Sequence, residues 1–220
     1  TFALAVQNHQ KNNLQVAEKL YKKVLNINSN DLQSNFLLGT LSAQTKKFEI
    51  AKQLLNKSIE INPNYIDAHN NLGLVFNQLG EHHKAKSCYE KAIEINPNYV
   101  SAHTNLGAAF NQLGEHHKAK SCYEKAIKIN PNDVSAYWNL HSFASDIDEA
   151  LTILKKLYEI DNKYIKAKIM ISALQGFKGN FNEFDALIVS SESNHPYTRS
   201  IKWIFSLPKL PKIFFNRWDF

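Results

Sequence analysis

The sequence is poor in the residues from which loop-rich, disulfide-stapled or membrane-spanning proteins are built. Its 220 residues include only two cysteines, one methionine, seven glycines, six prolines and two arginines. So little glycine and proline argues against a β-sandwich or a collagen-like chain. Cys88 and Cys122 cannot staple a small secreted domain. No stretch approaches the roughly twenty uninterrupted apolar residues of a membrane-spanning helix. No GxGxxG, P-loop, GxSxG or HExxH occurs, so neither a nucleotide or S-adenosylmethionine cradle nor a hydrolytic site can be assembled. These residues read as non-enzymatic, with no cofactor.

What is present describes a folded chain. Hydrophobic residues make up 44% and charged residues 21%, which fits a soluble globular protein. The net charge of +6 is unevenly placed: +4 over residues 1–65, 0 over 66–133, −2 over 134–164 and +4 over 165–220. A neutral centre between basic ends is not the continuous basic stripe of a nucleic-acid binder. The chain has no initiator methionine, its one methionine being Met170, and reads as a fragment whose leader could have been lost.

Internal repetition dominates the rest. The run from Asn77 to Ile93 recurs letter for letter from Asn111 to Ile127, a shift of 34 residues. Counting Ile66 as position 1, Leu72 and Gly73 stand at positions 7 and 8, Phe76 at 11 and Gly80 at 15. Ala85, Tyr89, Ala92 and Pro97 follow at 20, 24, 27 and 32. The next unit places Leu106, Gly107, Phe110, Gly114, Ala119, Tyr123, Ala126 and Pro131 likewise. Positions 4, 7, 8 and 11 share one face of a first helix A, and 20, 24 and 27 one face of a second helix B. Small Gly73 and Ala85 predict close approach, Gly80 predicts a left-handed cap, and Pro97 is expected to close helix B.

This pattern resembles the tetratricopeptide repeat. The resemblance implies an all-α superhelix, a right-handed solenoid of antiparallel helix pairs. The array is expected over 1–190, in units of about 1–31, 32–65, 66–99, 100–133, 134–164 and 165–190. In the fifth unit His141 replaces the glycine, three residues are missing, and Asp146 with Glu149 predicts a capping box. Residues 191–220 read as a capping helix over Tyr197–Leu207 and an aromatic tail, or as a linker to a further domain. The tail FFNRWDF is similar to the junction in bacterial tetratricopeptide proteins that continue into a methyltransferase domain of the macrocin O-methyltransferase type. On that alternative the chain is the recognition arm of a larger transferase.

In the tetratricopeptide family, positions 2, 5, 6, 9, 12 and 13 of helix A line the concave groove. Here they are Asp67, Asn70, Asn71, Leu74, Asn77 and Gln78, then Ser101, Thr104, Asn105, Ala108, Asn111 and Gln112. The next unit adds Ser135, Trp138, Asn139 and Ser142. A side-chain amide carries an acceptor and two donors and can pair with any peptide group. Asn71, Asn105 and Asn139 resemble the asparagine ladder of O-linked N-acetylglucosamine transferases, which implies a grip on an extended peptide backbone, with Trp138 as an apolar anchor. The expected partner is a protein or extended peptide, not nucleic acid or membrane. Apart from Lys166, the groove positions lack the Lys and Arg of carboxylate-clamping chaperone domains, which disfavours that use. The paired His82–His83 and His116–His117 lack converging metal-ligand spacing, and no metal site is expected. Cys88 and Cys122 share position 23, too far apart to pair across stacked repeats. They read as reduced thiols in a cytoplasmic protein.

Overall fold

The structure, a computed structural model, describes residues 1–177. The expected capping helix, the aromatic tail and helix B of the sixth unit lie outside the described residues. Among the described residues every regular element is helical. The helices fall into two compact units, Thr1–Ile129 and one beginning at Asn130.

The first unit contains four antiparallel hairpins. They pair α1 (Phe2–Gln10) with α2 (Leu14–Ile27), α3 (Leu32–Gln44) with α4 (Phe48–Ile61), α5 (Ile66–Gln78) with α6 (His82–Ile95), and α7 (Val100–Gln112) with α8 (His116–Ile129). Each hairpin buries the small and large positions of the repeat. Ala51, Leu55, Leu72 and Val75 form one shared core, so the helix A face of one hairpin closes on helix B of the previous one. Ala5, Ala17, Tyr21, Leu38 and Leu41 form the equivalent core one step earlier. A single hairpin cannot bury both faces, and stacking supplies the missing cover.

Two turns repeat with the helices. Between helices A and B, Gly80 and Gly114 take φ of 75° and 76°, the left-handed conformation that glycine enters without a Cβ penalty. The earlier hairpins place Asn12 and Lys46 at that point, with φ of 60° and 59°.

Between helix B and the next helix A, Asn62 and Asn96 are extended. Their Oδ1 atoms accept from the backbone N–H of Asn64 and Asn98 at 3.1 and 3.0 Å. The same closure occurs at Asn28 and Asn30, where Ser29 replaces proline, and at Asp161 and Lys163. The side-chain turn on Asn or Asp, rather than Pro97, is therefore the shared stop. His69 and His103 fasten it, Nε2–H donating to the carbonyls of Pro63 and Pro97 at 2.9 and 2.8 Å.

The second unit, described by itself, contains α9 (Val134–Leu140), a 3-10 turn over His141–Phe143, α10 (Ile147–Ile160) and α11 (Ile165–Phe177). Asp146 Oδ1 accepts from Glu149 N–H at 2.8 Å, as a capping box requires. The Glu149 carboxylate reaches one residue further back than expected, accepting from Ser145 N–H at 2.6 Å. Ala150, Leu154 and Leu157 point inward with Leu151, Ala167, Ile171 and Leu174.

Candidate functional site

Helix geometry decides which of the expected groove positions remain open. At ~100° per residue, positions 2, 6, 9 and 13 fall within ~60° of one another, while 5 and 12 lie to one side. On α5 this stripe is Asp67, Asn71, Leu74 and Gln78; on α7 it is Ser101, Asn105, Ala108 and Gln112. On α3 it is Gln33, Leu37, Thr40 and Gln44. Asp67, Gln78, Ser101 and Gln112 are exposed, and Asn71, Asn105 and Ala108 half-buried. Leu74 is 40% exposed, unusual for a leucine in this array.

Position 5 does not line an open surface as expected, whereas position 12 stays at the surface, with Asn111 exposed and Asn77 half-buried. Asn70 and Thr104 are only 5% and 6% exposed, because position 5 turns toward the next A helix. Asn77 and Asn111 turn toward the inter-helix turn, where their Oδ1 atoms accept from Nδ1–H of His82 and His116 at 2.7 and 3.1 Å. His82 and His116 thus fasten the inter-helix turns. Among the described residues no group of three His, Cys, Asp or Glu converges on a point that could hold a metal ion.

The groove asparagines form a directional chain that spacing alone did not reveal. Asn105 Nδ2 donates to Asn70 Oδ1 at 2.9 Å, Asn70 Nδ2 to Asn71 Oδ1 at 3.3 Å, and Asn71 Nδ2 to Thr40 Oγ1 at 3.1 Å. Thr40 then donates to the Phe36 carbonyl at 2.9 Å. The chain links α7 through α5 to α3. Asn71 uses both ends of its amide in it, whereas Asn105 gives only one N–H. Among the described residues nothing bonds Asn105 Oδ1. The rungs are therefore unequal.

At the edge of the stripe, Tyr99 Oη–H donates to Asp67 Oδ1 at 2.7 Å. Burial, with Asp67 beside it, holds the Tyr99 phenol well above its ordinary range, so it remains a donor at neutral pH.

In the second unit Asn139 and Trp138 are half-buried. The Trp138 ring lies 5.5 Å from that of Tyr164 and 4.6 Å from that of His141. Trp138 also packs against the Leu154 and Leu157 core. The expected partner anchor thus already has neighbours of its own. Burial pushes the His141 imidazole below its ordinary range, its hydrogen bond to the Trp138 carbonyl opposing the shift.

The side away from the stripe is chemically quiet. A depression of about 550 Å³ opens between α4 and α6, lined by Leu72, Phe76, Cys88, Lys84 and Lys91 among others. Lys84 is paired with Glu81, and Lys91 with Glu94 at 2.9 Å. Burial raises the Cys88 and Cys122 thiols to about 11, so neither is an activated thiolate at neutral pH. No helix among the described residues is long and apolar enough to cross a membrane.

Comparison with known proteins agrees with this geometry. A tetratricopeptide-repeat family model matches residues 66–99 and 100–133, and a second repeat model of that kind matches 41–80. No curated protein matches the chain. Among solved structures, MamA is 28% identical, with a TM-score of 0.64 over 74% of this chain and 96% of that one. Pseudomonas aeruginosa PilF, at 14% identity, gives a TM-score of 0.80 over 93% of this chain and 95% of its own. YrrB, described as a TPR protein with an unusual peptide-binding site, is 20% identical with a TM-score of 0.60, covering 83% and 97%. The hairpins, their 34-residue period and these likenesses together show a chain that carries tetratricopeptide repeats over residues 41–133 and is all-α among the described residues.

Proposed function

We propose that the open stripe of α3, α5 and α7 binds an extended stretch of another polypeptide. The observation that carries this reading is the lining: three neighbouring helices present amides, hydroxyls, one exposed leucine and the single carboxylate of Asp67, and no lysine or arginine. Such a surface can exchange hydrogen bonds with peptide groups and cover an apolar side chain. It offers no cations to phosphates, which disfavours nucleic acid. The peptide-binding site ascribed to YrrB supports the same use of the fold here.

The reading is tested by placing a photo-crosslinking amino acid at Ala108 or Gln112 on α7 and, as a control, at exposed Ser121 on α8. Discrete adducts with another polypeptide from the α7 positions, and none from Ser121, are expected in the native cell. Equal adducts from both sides, or adducts from Ser121 alone, would sink it.

A further inference from the structure

The stripe is not uniform, and its differences define the ligand it accepts. Asn105 is the rung whose Oδ1 has no partner among the described residues, while one of its N–H groups is held by Asn70 at 2.9 Å. It can accept from one peptide N–H and donate its second N–H to a carbonyl. Asn71 is held by both Thr40 and Asn70, so it positions the chain rather than gripping a ligand. Leu74, 40% exposed, has Thr40 and Ala108 as its counterparts on α3 and α7, so it is the apolar high point of the stripe. Asp67 is the one charged side chain among the stripe positions of the three helices. Tyr99 occupies its Oδ1 and fixes the carboxylate's direction, while nothing among the described residues bonds Oδ2.

We infer that the first unit selects an extended peptide that gives a backbone peptide group to Asn105, an aliphatic side chain to Leu74 and a Lys or Arg to Asp67. This rests on the peptide-binding reading above and narrows it by charge and shape complementarity. Asp67 and Leu74 are seven residues apart on one helix, ~10 Å at 1.5 Å rise per residue. At ~3.1 Å per residue and three residues per turn in an extended polyproline-II chain, side chains three positions apart share a face, so the basic side chain stands about three positions from the aliphatic one. Acidic peptides are excluded because a second carboxylate beside Asp67 has no cation on the stripe to offset it.

The test is selection from a positional-scanning library of N-acetylated, C-amidated nonapeptides on the 220-residue protein, its Asp67→Asn variant and its Leu74→Ser variant. Both positions are solvent-facing, and Asn at 67 keeps an acceptor for Tyr99. Enrichment of Leu, Ile or Val with Lys or Arg about three positions away is expected. Asp67→Asn erases the basic preference with about a threefold loss of affinity, as for an exposed ion pair. Leu74→Ser erases the aliphatic preference with about a tenfold loss. Bound peptides without this pair, or preferences that survive both substitutions, overturn the inference and leave groove binding standing. A library from which nothing is retained overturns both.

Discussion

The ring of Tyr89 lies where a side chain on Gly73 would begin: a Cβ there would stand 2.5 Å from Tyr89 Cε1 and 2.8 Å from Cδ1 and Cζ. Gly107 and Tyr123 repeat the relationship at 2.6 Å. Real atoms do not approach so closely, so an added methyl group must displace the ring or part the helices. Gly73→Ala is expected to destabilise the first unit by about 1–3 kcal/mol, read as a lower urea midpoint. The first hairpin combines Ala5 with Tyr21, both fully buried, so the fold can accommodate a methyl together with a tyrosine at these two positions. Gly73→Ala/Tyr89→Leu is therefore expected to recover part of the loss. An unchanged midpoint in the single variant would contradict the packing argument.

Tyr89 has a second consequence. Its hydroxyl is buried and has no hydrogen-bond partner among the described residues, and burial drives its phenol pKa well upward. An unpaired buried hydroxyl costs about 1–3 kcal/mol of desolvation. Tyr89→Phe removes the cost while keeping the ring, so thermal stability should hold or rise. A marked fall in melting temperature would mean the hydroxyl is satisfied in solution.

The inter-helix turns predict opposite effects at equivalent positions. Lys46 occupies the left-handed conformation that Gly80 and Gly114 adopt, at a cost of about 1 kcal/mol for a residue with a Cβ. Lys46→Gly should raise stability by up to about that amount. Gly80→Ala should lower it similarly, although nothing lies within 4 Å of the added Cβ. Thermal unfolding of the two variants decides. Changes of the same sign would show that the turn conformation is not what matters.

Acid should weaken the second unit through His141. Its folded-state pKa is depressed, chiefly by burial, so the unfolded chain takes up the proton more readily. Stability from the neutral ring is full above the unfolded pKa of about 6.5 and declines as pH falls through it. Lowering the pH from about 7.5 to about 5.5 should reduce the denaturation midpoint more in the wild type than in His141→Phe. Equal slopes in both proteins would rule out this imidazole as the cause.

Much of the fold was legible because the two clearest hairpins carry their instructions locally: small residues at 8 and 20, aromatics at 11 and 24, and glycine in the turn at 15. The stop after helix B was misassigned to Pro97, since Asn96 and Pro97 occur together in the clearest units. Asn28, followed by Ser29, and Asp161, followed by Asn162, separate their roles. The site was half legible. The family resemblance put Asn71, Asn105 and Leu74 among the groove positions, and helix geometry sets them within one stripe. The burial of Asn70 and Thr104 was not legible, because it depends on the adjoining A helix, roughly one repeat away. The Asn105–Asn70 bond likewise joins residues 35 apart in sequence, and no periodicity within a helix reveals it. Trp138 read as an exposed anchor because its cover, Tyr164 and His141, comes partly from another hairpin and partly from a shortened helix.

The central claim is that a peptide lies along the stripe and that Asn105, not Asn71, holds it. NMR of the asparagine-labelled protein, titrated with a peptide taken from the library, tests this directly. The Asn105 side-chain amide should shift and gain exchange protection, Asn71 should change little, and Asn56 on α4 should not move. Shifts concentrated at Asn56, or none at Asn105 with peptide bound, would contradict the account.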